Sequence, residues 1–248
     1  MWGGALVTVR SGLAFGSAVL VALLVVLGST VGLVALGWGV GLGCSLVMGA
    51  AVARGATGVL GPADLVTGLR AVLACGVAAL VAASFVQQPA VRSLVGLTVA
   101  ALVLDAVDGW VARRTRTAST FGARFDGEVD AFLILVLSVY VAQTLAGWAL
   151  AIGAARYAFL VAGWCFPWLR GQLPPRYWRK VVAATQGIVL TIAAASAAPG
   201  WLTYTALAVA LALLIESFGR DVLWLWHHRR ATPAQVTSGP APLHLQRP

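Results

Sequence analysis

Charged side chains are scarce in this chain, at 10% of its 248 residues, against roughly 25% in an ordinary soluble domain. Hydrophobic residues make up 60% of the sequence. This balance excludes a soluble globular domain and predicts a polytopic membrane protein. The net charge of +9 does not indicate a nucleic-acid partner, because the basic residues lie in short loops between apolar runs, a pattern typical of membrane orientation.

Histidine and cysteine are also rare, with three residues of each. The histidines are His227, His228 and His244, all close to the C-terminus, so we expect no histidine general base. The cysteines lie singly in apolar runs, without the paired spacing of a disulfide framework or a thiolate metal site, and we interpret them as small core residues. They are Cys44, Cys75 and Cys165.

Long apolar runs give the predicted fold class, an all-α polytopic integral membrane helical bundle. The first run, 11–53, is too long for the roughly 7–15-residue core of a signal peptide. It is long enough for two spans of about 20 residues, which we divide at Gly37-Trp38-Gly39. The predicted spans are 13–35, 39–53, 66–86, 91–112, 125–146, 148–169, 180–198 and 201–222.

The predicted organisation has three parts: an N-terminal transmembrane hairpin over 1–60, a six-helix core over 61–226, and a disordered cytoplasmic tail over 227–248. The tail is rich in Pro, Thr and Ser, a composition that cannot bury enough apolar surface to fold. Nearly all basic residues fall on one side of the eight-span arrangement, and only Arg92 falls on the other. The positive-inside rule therefore predicts that both termini are cytoplasmic.

Carboxylates are few, and they are clustered. The chain has eight, of which five lie within 105–130. Residues three or four apart share a helix face, so Asp105 and Asp108 point one way on one helix, and Asp126 and Asp130 point one way on the next. Four carboxylates in one small volume need cations between them, and oxygen ligands favour magnesium or manganese. Glu128 points away from this face and is left out of the predicted metal site.

The spacing of these acids matches a known pattern, D-x2-D-G-x2-A-R-x8-G-x3-D-x3-D. Its fixed positions are Asp105, Asp108, Gly109, Ala112, Arg113, Gly122, Asp126 and Asp130. In this the chain resembles the CDP-alcohol phosphotransferases, also called CDP-alcohol phosphatidyltransferases. The resemblance covers the six-helix core and not residues 1–60.

The resemblance implies a membrane enzyme that transfers a substituted phosphate from a CDP-alcohol, such as CDP-diacylglycerol, to an acceptor alcohol and releases CMP in phospholipid biosynthesis. It also implies two Mg²⁺ or Mn²⁺ ions and a homodimer, which is usual in the family. Separately, we predict a location in the plasma (inner) membrane of a bacterium, with the active site on the cytoplasmic side, as the distribution of basic residues indicates. The implied metal ligands are Asp105, Asp108, Asp126 and Asp130, and Asp130 is also the implied base.

A nucleotide pocket is implied as well. Its residues are Gly109, Ala112, Arg113 and Gly122, with Asp64, Thr67 and Arg70 from the preceding span. These last three correspond to the family's Asn-x2-Thr-x2-Arg, with aspartate in place of asparagine. Asp64 could equally be a simple helix cap, and Arg113 could be a membrane anchor on the cytoplasmic side.

The acceptor is predicted from basic residues farther along the chain. These are Arg156, Arg170, Arg179 and Lys180, and they favour a phosphorylated alcohol such as glycerol 3-phosphate or inositol phosphate. Lys180 and Gln186 match a spacing found in phosphatidylglycerophosphate-synthase-like members, but Val182 and Ala183 depart from it. Arg156 has an alternative role as a structural ion-pair partner.

Two other functions compete with the enzyme. A cation- or proton-coupled transporter would place acids near the bilayer midplane in two repeated halves, whereas here they lie in one half at predicted helix ends. A non-catalytic scaffold of the same fold would have had no need to keep the full set of acids.

Overall fold

The computed structural model describes residues 7–56, 59–115, 120–171 and 177–228. Within them the chain forms eight α-helices, one in each region where a span is predicted, and the all-α membrane bundle is confirmed. The helices are α1 (Val9–Val31), α2 (Ala35–Gly55), α3 (Pro62–Ala83), α4 (Val91–Thr115), α5 (Thr120–Thr144), α6 (Leu150–Cys165), α7 (Tyr177–Ala194) and α8 (Gly200–His228).

The break between the first two helices differs from the prediction. The chain turns after α1 at Gly32, whose φ of 65° is left-handed and suits glycine. The predicted turn at 37–39 is wrong, because Gly37 is buried inside α2. A Cβ at that position would lie 2.8 Å from the carbonyl oxygen of Ala79. Gly37, which has no side chain, therefore allows α2 to pack closely against α3.

A short pair of β-strands, which was not predicted from the sequence, connects the start of the N-terminal hairpin to the start of the six-helix core. β1 (Val7–Thr8) pairs antiparallel with β2 (Val59–Leu60). The Thr8 side chain also caps α1 by accepting a hydrogen bond from the Ser11 backbone N–H at 3.3 Å. Because α1 follows β1 and α3 follows β2, both helices begin at the same end of the bundle.

Helix α3 is the centre of the bundle and packs against α1, α2, α4 and α5. About two thirds (67%) of its most apolar stretch is buried, against 17% in α1 and in α2. Alanines such as Ala74, Ala78 and Ala79 supply much of its buried surface. Side chains this small let neighbouring helices approach closely, which explains why this helix can contact four others.

Five of the helices in the described residues are long and apolar enough to cross a membrane: α1, α2, α3, the stretch Gly147–Cys165 that contains α6, and α8. Apolar side chains such as Leu46, Trp164 and Trp201 are mostly exposed, as expected for surfaces that face lipid. Crossing of the bilayer by α4, α5 and α7 stays a prediction. Helix α8 continues through His228, two residues into the predicted tail, and the rest of that tail lies outside the described residues.

Candidate active site

The guanidinium group of Arg70 lies at the centre of the acid cluster. Nη1 donates a hydrogen bond to Oδ1 of Asp126, and Nη2 donates one to Oδ1 of Asp130. Nη2 also lies 3.0 Å from Oδ1 of Asp105. The Arg70 side chain is only 1% exposed, and a buried charge requires partners of this kind. One arginine of α3 thus binds carboxylates from both α4 and α5.

The three aspartates converge as their spacing predicts. One carboxylate oxygen from each of Asp105, Asp126 and Asp130 lies within 4.8 Å of the others. Asp126 and Asp130 are one turn apart on α5 and share a face, while Asp105 comes from the second half of α4. The side chain of Asp108, the fourth predicted ligand, lies outside the described residues. A metal-binding role for all four stays a prediction.

The cluster has the composition and charge of a divalent-cation site. Its three carboxyl groups outnumber its one described guanidinium group, that of Arg70. The aspartates are about one third exposed, at 32–39%, so an ion could reach them from outside. Clustered carboxylate oxygens are ligands that Mg²⁺ and Mn²⁺ prefer. The residues therefore fit the predicted metal.

The other residues predicted for the nucleotide lie close to the cluster along the chain. Thr67 is buried one turn before Arg70, and its hydroxyl donates to the carbonyl oxygen of Ala63 at 3.1 Å. Oδ2 of Asp64 accepts a hydrogen bond from the Gly61 N–H at 2.9 Å.

Asp64 therefore acts as a helix cap, from the third position of α3 and not from the N-cap itself. Gly109 lies on α4 and Gly122 in the first turn of α5, both partly buried. The side chains of Ala112 and Arg113 lie outside the described residues. A role for any of these residues in nucleotide binding stays a prediction.

Two of the basic residues predicted to bind the acceptor are paired with carboxylates. Nη2 of Arg156 binds Oε1 of Glu128, with side chains 41% and 45% exposed. Glu128 is two residues from Asp126 and from Asp130, so it lies on a different face of α5.

The second pair joins α7 to α8. Arg179 binds Asp221 through Nε–Oδ2 and Nη2–Oδ1 contacts, both of 2.9 Å. This two-point geometry is typical of strong guanidinium–carboxylate pairs. Lys180 is exposed, and the Arg170 side chain lies outside the described residues. The acceptor role of the four stays a prediction.

Sequence reasoning missed two features of this region. It assigned Arg70 to the nucleotide and not to the aspartates, and it gave Asp221 no role. For Arg70 there was a usable indication, since it is the one basic residue within the predicted span 66–86, and a charge in such a span needs a partner. Asp221 offered no local motif, and only the packing of α7 against α8 reveals its contact.

Comparison with known proteins agrees with the geometry. The sequence model of a family described as CDP-alcohol phosphatidyltransferase matches residues 61–215, more than half of the chain. No curated protein and no solved structure matches the chain. The matched range contains Arg70 and all the aspartates of the cluster, and it begins after the N-terminal hairpin.

Proposed function

The chain belongs to the CDP-alcohol phosphatidyltransferase family, and from this premise we propose that its donor is a CDP-linked lipid, CDP-diacylglycerol, used in phospholipid biosynthesis. Membership makes the chain a membrane enzyme that transfers a phosphatidyl group from a CDP-alcohol to an acceptor alcohol. The observation that carries the finer proposal is the convergence of Asp105, Asp126 and Asp130 around Arg70. With divalent cations bound, such a cluster would suit the pyrophosphate of a donor whose chains remain in the bilayer.

The proposed metal ligands are Asp105, Asp108, Asp126 and Asp130. Two Mg²⁺ or Mn²⁺ ions held there would neutralise phosphate charge and align the reacting oxygens. Family members use a divalent metal ion, and the convergence of carboxylate oxygens from Asp105, Asp126 and Asp130 supports the same conclusion.

The reaction requires one proton transfer and one exchange of bonds at phosphorus. Asp130 takes the proton from the acceptor hydroxyl, whose oxygen forms a bond to the β-phosphorus of the donor. The bond from that phosphorus to the bridging oxygen breaks, and CMP leaves with the electron pair. Arg70 binds an oxygen of Asp130, and so it fixes the orientation of the proposed base.

The proposed acceptor is a phosphorylated alcohol, such as glycerol 3-phosphate or inositol phosphate. Arg156, Arg170, Arg179 and Lys180 supply the positive charge that supports this choice. Arg156 and Arg179 each bind a carboxylate of the chain itself. An acceptor phosphate would have to compete with Glu128 and Asp221 for them, whereas Lys180 is exposed.

We further propose that the enzyme lies in the plasma membrane of a bacterium, with the aspartate cluster and both termini on the cytoplasmic side. The support is the distribution of basic residues along the sequence. A homodimer is proposed from the family alone.

The decisive experiment measures CMP release by purified protein supplied with CDP-diacylglycerol and a panel of phosphorylated and uncharged alcohols. We expect activity with a phosphorylated alcohol, loss of activity in chelator, and recovery with Mg²⁺ or Mn²⁺. Asp126→Ala should abolish turnover. Glu216→Gln serves as the control, because Glu216 pairs with Arg220 and accepts a hydrogen bond from Trp178, and it does not bind the arginine of the cluster.

Each failure has its own meaning. Full activity in chelator, or in Asp126→Ala, would overturn the metal proposal. Efficient transfer to an uncharged alcohol, with phosphorylated alcohols inert, would overturn the acceptor proposal. Absence of CMP release with every alcohol would favour a non-catalytic scaffold.

A further inference from the structure

A cavity of about 660 Å³ lies between the N-terminal hairpin and the first turns of α3 and α5. Its volume falls within the roughly 300–1,000 Å³ of small-molecule sites. The lining is mostly apolar and includes Leu13 and Val19 of α1, Met48 of α2, Val72 of α3, and Phe125 of α5. The hairpin that forms one wall lies outside the range matched by the family model, so the cavity is a feature that the hairpin adds to the family domain.

We propose that this cavity binds one hydrocarbon chain of the lipid donor, and that the N-terminal hairpin thereby selects donors by chain length. The inference rests on the proposed function, because it takes the donor to be a lipid whose headgroup lies at the aspartates.

The length of the cavity supports a single lipid chain. Its lining residues on α3 run from Asp64 to Cys75, and those along α1 run from its N-cap, Thr8, to Val19. Each stretch rises about 16 Å at roughly 1.5 Å per residue. The hydrocarbon core of a bilayer is about 30 Å thick, so the cavity is as deep as one leaflet.

The position of the cavity close to the aspartates indicates that the hydrocarbon chain bound there is part of the donor lipid. Polar lining residues Thr8, Ser11 and Asp64 lie at the end of the bundle where α1 and α3 begin. Asp64 and Arg70 are six residues apart on α3, about 9 Å along the helix axis. On α5, Phe125 lines the cavity while the next residue, Asp126, binds Arg70. A lipid with its headgroup at the aspartates could therefore place a chain in the cavity.

Glycines keep the cavity open. A Cβ at Gly16 would meet no atom within 4 Å, and one at Gly49 would meet only Leu13, at 3.7 Å. Both glycines line the cavity. They differ from Gly37, where the neighbouring helix fills the space. Larger side chains at Gly16 and Gly49 would therefore occupy the proposed chain site without displacing backbone.

The test replaces Gly16 or Gly49 by leucine and uses Gly43→Leu as the matched control. Gly43 lies on α2 outside the cavity lining, and a Cβ there would also meet nothing within 4 Å. The same gain in helix propensity accompanies all three changes. The donors are CDP-diacylglycerols with two palmitoyl or two hexanoyl chains, and a third carries a photoreactive diazirine on one long chain.

We expect Gly16→Leu and Gly49→Leu to raise the KM for the palmitoyl donor about tenfold, within the range by which a filled apolar pocket discriminates. The KM for the hexanoyl donor should stay unchanged, as should both values in Gly43→Leu. The diazirine donor should label cavity-lining peptides of α1, α2 and α3, and labelling should fall at least fivefold in the two cavity variants.

Labelling confined to the outer surface of the bundle would overturn the inference, as would equal changes in KM for long and short donors. So would an effect of Gly43→Leu equal to that of the cavity variants. If no donor releases CMP, the proposed function fails, and the labelling pattern alone then decides whether the cavity binds a lipid chain.

Discussion

Two arginines in apolar helices, Arg70 on α3 and Arg156 on α6, both bind acids of α5, but their surroundings differ. Arg70 is 1% exposed and contacts three carboxylates from two helices. Arg156 is 41% exposed and, within the described part of the chain, binds one carboxylate, that of Glu128. An exposed pair contributes about 0–1 kcal/mol, whereas loss of one partner from a buried cluster costs about 3–5 kcal/mol. Both arginines lie in apolar helices, so position alone does not separate them. The Arg70 site differs from the Arg156 pair in the number of carboxylates that the arginine binds and in the burial of its side chain.

The largest difference in turnover should be between the Asp130→Asn and Glu128→Gln variants. These residues are one turn or less apart on α5, but only Asp130 binds Arg70. An amide can still offer an oxygen ligand but cannot take a proton, so turnover should fall about 10²–10⁴-fold in Asp130→Asn, with a smaller loss in donor binding. Glu128→Gln should keep a near-normal kcat. CMP-release kinetics check both, and a normal kcat in Asp130→Asn would remove it as the base.

Arg70→Met should lower turnover about 10²–10³-fold, comparable with removal of an electrostatic donor from an active site. It should also destabilise the protein by up to about 3 kcal/mol, the lower part of the range for buried pairs, because the aspartates are about one third exposed. Thermal unfolding in detergent and CMP release measure the two effects.

Arg70→Lys is the matched control for that change. It keeps the charge but loses the planar fork that reaches several carboxylates, so it should retain more stability than Arg70→Met. Equal stability of Arg70→Met and the native protein would contradict a central role for this residue.

Arg156→Leu should raise the KM for a phosphorylated acceptor about tenfold, because one charged hydrogen bond contributes about 1.5–3 kcal/mol. The KM for the CDP-lipid should stay nearly unchanged. Steady-state kinetics with each substrate varied in turn provide the measurement. An unchanged acceptor KM would leave Arg156 as a structural partner of Glu128.

The smallest effect should be the coupling between Arg156 and Glu128. A double-mutant cycle with Arg156→Leu and Glu128→Gln, read by thermal unfolding, should give about 0.2–1 kcal/mol. If the coupling energy were as large as the loss of unfolding free energy in Arg70→Met, the two arginines would not differ in their contribution to stability.

Much of this arrangement could be predicted from the sequence. The acid spacing on two helices predicted the meeting of Asp105, Asp126 and Asp130, because three- and four-residue separations fix a shared face. The apolar runs predicted eight helices. The hairpin turn was misplaced because Gly32 and Gly37 look alike in a glycine-rich run, and only tertiary packing shows that one turns the chain while the other contacts α3. The Arg70 contacts and the Arg179–Asp221 pair join distant segments, which local patterns cannot reveal.

The strand pair between β1 and β2 also has a consequence for how such a chain could be assembled. It places the beginning of α1 beside the beginning of α3, so the hairpin leaves one end of the bundle and returns to it before the family domain starts. If both helices cross the bilayer, the chain returns to the side of the membrane on which it started. Every helix after Leu60 then has the same orientation in the membrane as it would have without the hairpin. A segment of this kind can be gained or lost without inverting the enzyme that follows it.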